Sequence, residues 1–138
     1  MEVGSQVNSP TIDDPCDVFN RDCPGRVVLN HLTSRWGLLV LVALQDGPLR
    51  FYELRTLVDG VSEKMLSQTL RTLTRDGLLT RVVAPTAPPS VTYALTPLGA
   101  DAAEPLRQIL QWVRGNAATV FRSQGDYDRL EEAGSPPE

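Results

Sequence analysis

Basic and polar side chains recur at helical spacing between Lys64 and Arg75, and their chemistry suits contact with nucleic acid. They occupy positions i, i+3, i+4, i+7 and i+11, namely Lys64, Ser67, Gln68, Arg71 and Arg75. Lysine and arginine donate hydrogen bonds to phosphates, and glutamine, serine and arginine can also donate to base edges in the major groove of DNA. An ordinary solvated helix face has the same pattern, so the rest of the chain must decide between the two interpretations.

The apolar residues of the same segment, 61–79, predict how this face is held. Leu66, Leu70 and Leu73 recur at the spacing of one buried helical face. Ser62 is the expected N-cap, because its hydroxyl can accept a hydrogen bond from a free N–H of the first turn. The helix should end at Asp76-Gly77, since glycine readily adopts the left-handed conformation that terminates helices.

The elements before this helix predict a helix-turn-helix. Cys23-Pro24 should open a first helix, and residues 36–45 a second that is apolar almost all round and therefore central. Residues 49–50 are too short for an independent strand but could pair as the third strand of a small sheet. Residues 51–58 should form a helix with Leu54, Leu57 and Val58 facing inward. The connector 59–61 contains Gly60, as expected of the turn between the two helices of this motif.

The elements after it predict a wing and a long last helix. Residues 79–84 and 91–95 read as two strands joined by a stiff, proline-rich loop. Thr96 and Pro97 then open a helix that runs to about Phe121, with Pro105 inside it. The expected fold is mainly α with a small β-hairpin wing, that is, a winged helix-turn-helix. We expect Lys64, Gln68 and Arg71 to contact the groove and Arg50 and Arg81 to contact the DNA backbone. Arg35 and Ser62 are further candidate DNA contacts.

Charge is segregated along the 138 residues, whose formal net charge is −4. Residues 1–22 and residues 123–138 each carry five acids and one arginine, whereas residues 23–122 carry eleven basic and seven acidic residues. The local field on a contacting face matters more for DNA binding than the total charge. We expect a flexible acidic arm (1–22), a winged-helix domain with a C-terminal dimerisation helix (23–122) and a disordered acidic tail (123–138).

The chain resembles the HxlR family of bacterial winged-helix transcriptional regulators over about residues 23–114. The resemblance is carried by an ordered set of short motifs: Cys23-Pro24, Arg35-Trp36, Leu38-Leu39, Gly47-Pro48, Arg50-Phe51, Glu53-Leu54, Val61-Ser62, Lys64, Leu66, Leu70, Leu73, Asp76-Gly77-Leu78, Arg81, Pro88-Pro89, Val91, Tyr93, Leu95-Thr96, Gly99 and Trp112. It implies a regulator, expected to be a repressor, that binds a pseudo-palindromic DNA operator as a homodimer.

The resemblance implies a dimer held mainly by the first and last helices, and the sequence agrees. The last helix carries two apolar stripes; one can cover the domain, and the second needs another partner. The alternative is that both stripes pack within one chain. The candidate interface residues are Val28, Leu32, Leu106, Ile109, Leu110, Val113 and Ala117.

The wing departs from the family pattern. The family usually has a basic residue after the two prolines, an acidic residue before the tyrosine and an aromatic residue before the loop; here these are Ser90, Thr92 and Ala84. The wing tip therefore has no positive charge, and the reading helix, with Arg35 and Arg50, must supply more of the affinity.

Cys16 and Cys23 are the only cysteines and lie seven residues apart. With His31 as the single histidine, they offer too few ligands for a common zinc site, so no metal and no cofactor is expected. Cytoplasmic thiols are normally reduced, which argues against a structural disulfide. Cys23, at a helix N-terminus near Arg21 and Arg26, has features of a reactive thiol. In thiol-sensing members of the family the matching cysteine reacts with oxidants or electrophiles, with Cys16 as a candidate resolving partner here. The alternative is a half-buried capping thiol.

Two other classes of function compete with a DNA-binding regulator. A winged-helix module that binds protein instead of DNA would fit the acidic total and the uncharged wing tip. An enzyme is not expected, because no nucleophile set, phosphate-binding loop or carboxylate pair is visible. Neither a secretory signal nor a membrane-spanning run is found, so a cytoplasmic protein is expected. A small-molecule or electrophile effector is a further candidate partner.

Overall fold

The computed structural model describes residues 17–134 of the chain, which fold into five helices and a small three-stranded sheet. The elements in order are α1 (Pro24–Thr33), α2 (Arg35–Ala43, continued by a 3₁₀ turn Leu44–Asp46), β1 (Leu49–Arg50), α3 (Phe51–Leu57), α4 (Glu63–Arg75), β2 (Leu79–Ala84), β3 (Ser90–Leu95) and α5 (Pro97–Glu132). This order confirms the expected winged helix-turn-helix. The chain divides into two compact units between Leu106 and Arg107.

The core of the first unit lies between the helices and the sheet. Val40 and Leu41 of α2 and Leu54 of α3 are fully buried, together with Leu66 of α4. The remaining core members are Leu44, Val58, Val61, Leu70, Leu73, Leu78, Leu79, Ala103 and Leu106. Helix α2 is central and is surrounded by the other elements of this core. This position explains why it is apolar almost all round.

The turn of the helix-turn-helix is closed by Gly60, whose φ of +95° suits glycine. Val61 is buried immediately after it and anchors the start of α4 in the core. Leu57 was expected to face inward but is 61% exposed, so that expectation was wrong. Leu54 and Val58, four residues apart, share the buried face, and a residue three positions after Leu54 falls at its outer edge.

The sheet is antiparallel with strand order β1-β3-β2. Leu49 pairs with Tyr93 across β1 and β3, and Arg81 pairs with the same Tyr93 from the other side. The predicted third strand at residues 49–50 is therefore confirmed, and β3 begins at Ser90, one residue earlier than expected.

Helix α5 begins as predicted but ends later. The Thr96 hydroxyl oxygen accepts the amide hydrogen of Gly99 at 2.9 Å and donates to the Gly77 carbonyl at 2.7 Å, which joins the start of α5 to the end of α4. The helix was expected to end near Phe121, with a disordered tail after it. Instead it continues to Glu132, so the tail was wrong for residues 123–132. Arg129 and Asp126, one turn apart, form an ion pair in this segment, and no proline interrupts it.

The N-terminal arm is described only from residue 17 onward. Asp17 and Asn20 accept backbone amide hydrogens two residues ahead, at 3.0 and 2.9 Å, in local turns. The Arg26 guanidinium donates back to the carbonyls of Val18 and Phe19 at 2.6 and 2.9 Å. The part of the arm next to α1 is therefore ordered. An arm with order near residues 16–19 was expected, and the order extends to α1; residues 1–16 lie outside the described chain.

Candidate nucleic-acid interface

Helix α4 presents the predicted basic and polar face to solvent. Its opposite side is buried through Leu66, Leu70 and Leu73, as predicted. The residues of this face, Lys64, Ser67, Gln68, Arg71 and Arg75, are all exposed, and Glu63 and Met65 are exposed beside it. Within residues 17–134 their side chains form no hydrogen bond and no ion pair. The donors of this face are therefore available to an external acceptor.

Both ends of α4 are fixed by side chains. The Ser62 hydroxyl oxygen accepts the amide hydrogen of Met65 at 3.1 Å, which confirms the predicted N-cap. Glu63, in the first turn, is paired with Arg55 of α3 at 2.8 Å. At the other end His31 Nδ1 of α1 lies 2.7 Å from Asp76 Oδ2, the C-cap residue. These contacts join the two ends of α4 to α1 and α3.

His31 was expected to be a core or interface residue, and the structure gives it a more specific place. It is partly exposed and its partner ends the reading helix. This contact joins residues 45 positions apart in the chain, so no local sequence signal pointed to it.

The other predicted basic contacts surround α4 unevenly. Arg81 on β2 lies with Arg71 and Arg75 around one hollow between α4 and the sheet. Arg50 lies apart from them, in a groove beside the wing loop. Arg35, at the start of α2, stacks its guanidinium 4.5 Å from the ring centroid of Trp36. Of these three predicted contacts, Arg35, Arg50 and Arg81, only Arg81 lies in one site with residues of the reading helix.

Pro85 to Pro89 form the exposed, uncharged tip of the wing predicted from the sequence. The Thr86 hydroxyl donates to the Pro88 carbonyl at 2.6 Å, and the Ala87-Pro88 peptide is cis. Between this loop and the start of α3 runs an open groove of about 700 Å³ that Arg50 lines.

Cys23 is the N-cap of α1, and its Sγ accepts the amide hydrogen of Gly25 at 3.2 Å. It is only 4% exposed and is disulfide-bonded. A reduced thiol was expected, so that expectation was wrong. The expectation rested on the reducing conditions of the cytoplasm. Whether a disulfide can form also depends on the local geometry of the two cysteines. Cys16, its candidate resolving partner, lies outside the described residues.

The predicted dimer-interface residues differ in exposure. Val28, Ile109 and Val113 are 45–48% exposed, and Leu32, Leu110 and Ala117 are half-buried. Leu106 is buried in the core of the first unit, so its side chain is not available to a partner, and its place in the predicted interface was wrong. It faces the core because it shares a helix face with Ala103, which is fully buried.

Within residues 17–134 no three His, Cys, Asp or Glu side chains are grouped as metal ligands. No single helix there combines the length and apolar character needed to cross a bilayer; α1 and α2 reach it only as a pair bent by 68°.

Known proteins share this arrangement. The family model described as HxlR-like helix-turn-helix matches residues 31–120. The HTH-type transcriptional regulator YtfH of Escherichia coli (strain K12) is 48% identical over 105 residues, which cover 76% of this chain and 83% of YtfH. The solved structure of ytfH from Salmonella typhimurium superposes with a TM-score of 0.75 at 47% identity, covering 79% of this chain and 97% of that one.

A second solved structure is the redox regulator HypR in its oxidised form. It superposes with a TM-score of 0.64 at 31% identity and covers 68% of this chain and 97% of its own. The family match spans most of the described chain, including the whole helix-turn-helix and wing. The chain therefore belongs to the HxlR-like helix-turn-helix family of transcriptional regulators.

Proposed function

We propose that this protein is a sequence-specific, double-stranded DNA-binding regulator that represses transcription from a pseudo-palindromic operator. The observation that carries the proposal is the exposed face of α4, whose basic and amide donors have no partner within residues 17–134. A capped helix with one buried and one donor-rich face fits the major groove, where arginine and glutamine read base edges.

The proposed roles follow from position. Lys64, Gln68 and Arg71 contact the groove from the exposed face of α4. Arg50 and Arg81, from the strands beside it, contact the phosphate backbone, as does Arg35 from the start of α2. Ser62, Ser67 and Arg75 are secondary contacts, and the Ser62 hydroxyl can still donate to a phosphate while its oxygen caps the helix.

Binding to duplex DNA at increasing salt concentration tests this function. Phosphate contacts release counterions, so log K should fall steeply and linearly with log salt, by about 0.9 per neutralised phosphate. Operator selection from random DNA should then return an inverted repeat. A protein-interaction module, which the uncharged wing tip and acidic total charge favour, would bind DNA weakly and select no sequence.

We propose that the protein acts as a homodimer, held by α1 and the second half of α5. The support is the exposed apolar character of these helices: Val27, Val28 and Leu29 on α1, and Ile109, Trp112, Val113 and Phe121 on α5, are each at least 40% exposed. Exposed apolar side chains on a helix at this density are typical of an interface. An isologous contact would present two reading helices to the two halves of an inverted repeat.

We propose that Cys23 responds to oxidants or electrophiles, with Cys16 as partner. One structurally similar protein is described as a redox regulator, and Cys23 caps the helix that we assign to the dimer. The rate of iodoacetamide labelling of the reduced protein against pH tests this. A thiol tuned by its helix N-terminus should react with an apparent pKa below about 8.5. An apparent pKa at or above that value would leave Cys23 a capping residue only.

We propose that the regulator works in the cytoplasm, and that residues outside 23–132 serve as acidic extensions of the DNA-binding domain. Their acidic charge opposes non-specific attraction to DNA, because like charges repel. Removing residues 1–16 should therefore raise the affinity for non-specific duplex DNA at low salt. An unchanged affinity would argue that the arm has no electrostatic role.

A further inference from the structure

A hollow between the reading helix and the sheet combines three arginines with an apolar wall. It has a volume of about 440 Å³, within the usual range for small-molecule sites. Arg71 and Arg75 of α4 and Arg81 of β2 line it, and Phe51, Leu70 and Tyr93 form its apolar side. Ser67 and Thr74 complete the lining. No acidic residue lines it.

The three arginines have no internal hydrogen-bond or ion-pair partner, whereas several other arginines of the described chain do. Arg26 donates to two backbone carbonyls, Arg55 is paired with Glu63 and Arg129 with Asp126. Among residues 17–134, no hydrogen bond or ion pair satisfies the guanidinium groups of Arg71, Arg75 or Arg81. Three like charges around one concave site repel one another, and an anion bound between them relieves that repulsion.

The apolar side determines what kind of anion fits. Leu70 is 1% exposed and forms the floor, and the rings of Phe51 and Tyr93 are half-buried beside it. An inorganic phosphate would accept hydrogen bonds from the guanidinium groups but would leave the apolar side of the hollow exposed to water. An aromatic carboxylate satisfies both, because its carboxylate accepts paired hydrogen bonds from arginine and its ring packs on the apolar side.

We propose that this hollow is an effector site for aromatic carboxylates, and that its occupation competes directly with DNA. The second part rests on the proposed function, in which Arg71 and Arg81 contact the operator. A ligand that holds their guanidinium groups removes those contacts, so ligand and DNA exclude each other without a change of fold.

Titration calorimetry on the full-length, reduced protein tests the site itself. The probe is 2-naphthoate; the uncharged 2-naphthalenemethanol and inorganic phosphate are its two controls. We expect 2-naphthoate to bind about tenfold or more tightly than either control, since each lacks one of the two kinds of contact. If inorganic phosphate binds as tightly as 2-naphthoate, the hollow is only a phosphate-binding site for the DNA backbone and the proposal is overturned. Equal binding of the alcohol would overturn it as well.

Two substitutions locate the binding. Arg81→Gln and Arg75→Gln should each weaken 2-naphthoate by about tenfold, because each removes one charge-assisted contact. Arg114→Gln is the matched control: it removes an exposed arginine of α5 that does not line the hollow, and it should leave 2-naphthoate binding unchanged. Loss of binding in Arg114→Gln, or retention in both hollow variants, would place the ligand elsewhere.

Competition is measured by adding 2-naphthoate to the protein bound to its selected operator. The apparent Kd for DNA should rise linearly with free 2-naphthoate, with an inhibition constant equal to the calorimetric Kd. DNA binding that is insensitive to a saturated hollow would overturn the competition. If the protein binds no DNA at all, the proposed function fails, while calorimetry still decides whether the hollow holds the anion.

Discussion

Arg71 stands at the centre of the exposed face of α4 and also lines the hollow beside the wing. Its guanidinium makes no contact within the described chain that a substitution would disturb. Any effect of changing it should therefore fall on binding and not on folding, which makes it the most informative single residue of the proposed interface.

Arg71→Ala should weaken operator binding by about 1–3 kcal/mol and relax sequence preference at one base pair in each half-site, if Arg71 reads a base. Fluorescence anisotropy with operator variants measures both. Arg114→Ala, an exposed arginine on α5, serves as the control and should bind like the parent. An unchanged affinity of Arg71→Ala would remove it from the interface.

Ser62 and Ser67 give a matched pair on one helix. Ser62→Ala removes the acceptor of the Met65 amide hydrogen and should lower the free energy of unfolding by about 0.5–2 kcal/mol. Ser67→Ala, at an exposed position inside the helix, should be neutral or slightly stabilising because alanine has the higher helix propensity. Urea denaturation measures both. Equal effects of the two changes would show that the cap contributes nothing.

At the level of elements, local patterns in the sequence were sufficient where one face of a helix or strand is buried. Three features were predicted correctly because each depends on neighbours in the sequence. They are the repeat of Leu66, Leu70 and Leu73, the Ser62 cap and the bounds of β2. The end of α5 was not, because the charged residues after Phe121 suggested disorder. Leu130, Glu131 and Glu132 are good helix formers, and Arg129 pairs with Asp126 one turn before it.

Contacts between distant residues set the rest of the site. The arginine-lined hollow depends on the β2–β3 register that puts Arg81 opposite Tyr93 and on the packing of α4 against the sheet. The His31–Asp76 contact likewise joins two helices far apart in sequence. Neither could be predicted from spacing alone, and together they determine which donors lie side by side.

Two glycines of α5 test how closely the last helix approaches the segment that joins α4 to β2. A Cβ on Gly99 would lie 2.0 Å from the Leu78 carbonyl oxygen, whereas a Cβ on Gly115 would meet nothing within 4 Å. Gly99→Ala should therefore lower the free energy of unfolding by about 1–3 kcal/mol or more, since backbone must shift. Gly115→Ala should raise it by up to about 1 kcal/mol. Thermal or urea denaturation measures both, and a stabilised Gly99→Ala would contradict the close approach.

At the scale of the whole molecule, the proposed dimer depends on exposed apolar residues of α5. Val113→Glu should shift the protein to monomer, because burying an unpaired carboxylate costs about 3–5 kcal/mol. Gln111→Glu adds the same charge to an exposed position of the same helix and should remain dimeric. Sedimentation velocity distinguishes the two species. A dimeric Val113→Glu would place the interface elsewhere.

The exposed side chains of α5 also connect the stability of this regulator to its abundance. Ile109, Trp112, Val113 and Phe121 remain 47–64% exposed in the single chain. If a second chain covers them, association contributes to folding by mass action, so the midpoint of thermal unfolding should climb with the logarithm of protein concentration. A cell that makes few copies would then hold a regulator that is both less occupied on DNA and less stable. Proteolysis of the monomer would lower its concentration further, so regulation would depend on protein concentration more steeply than DNA affinity alone predicts.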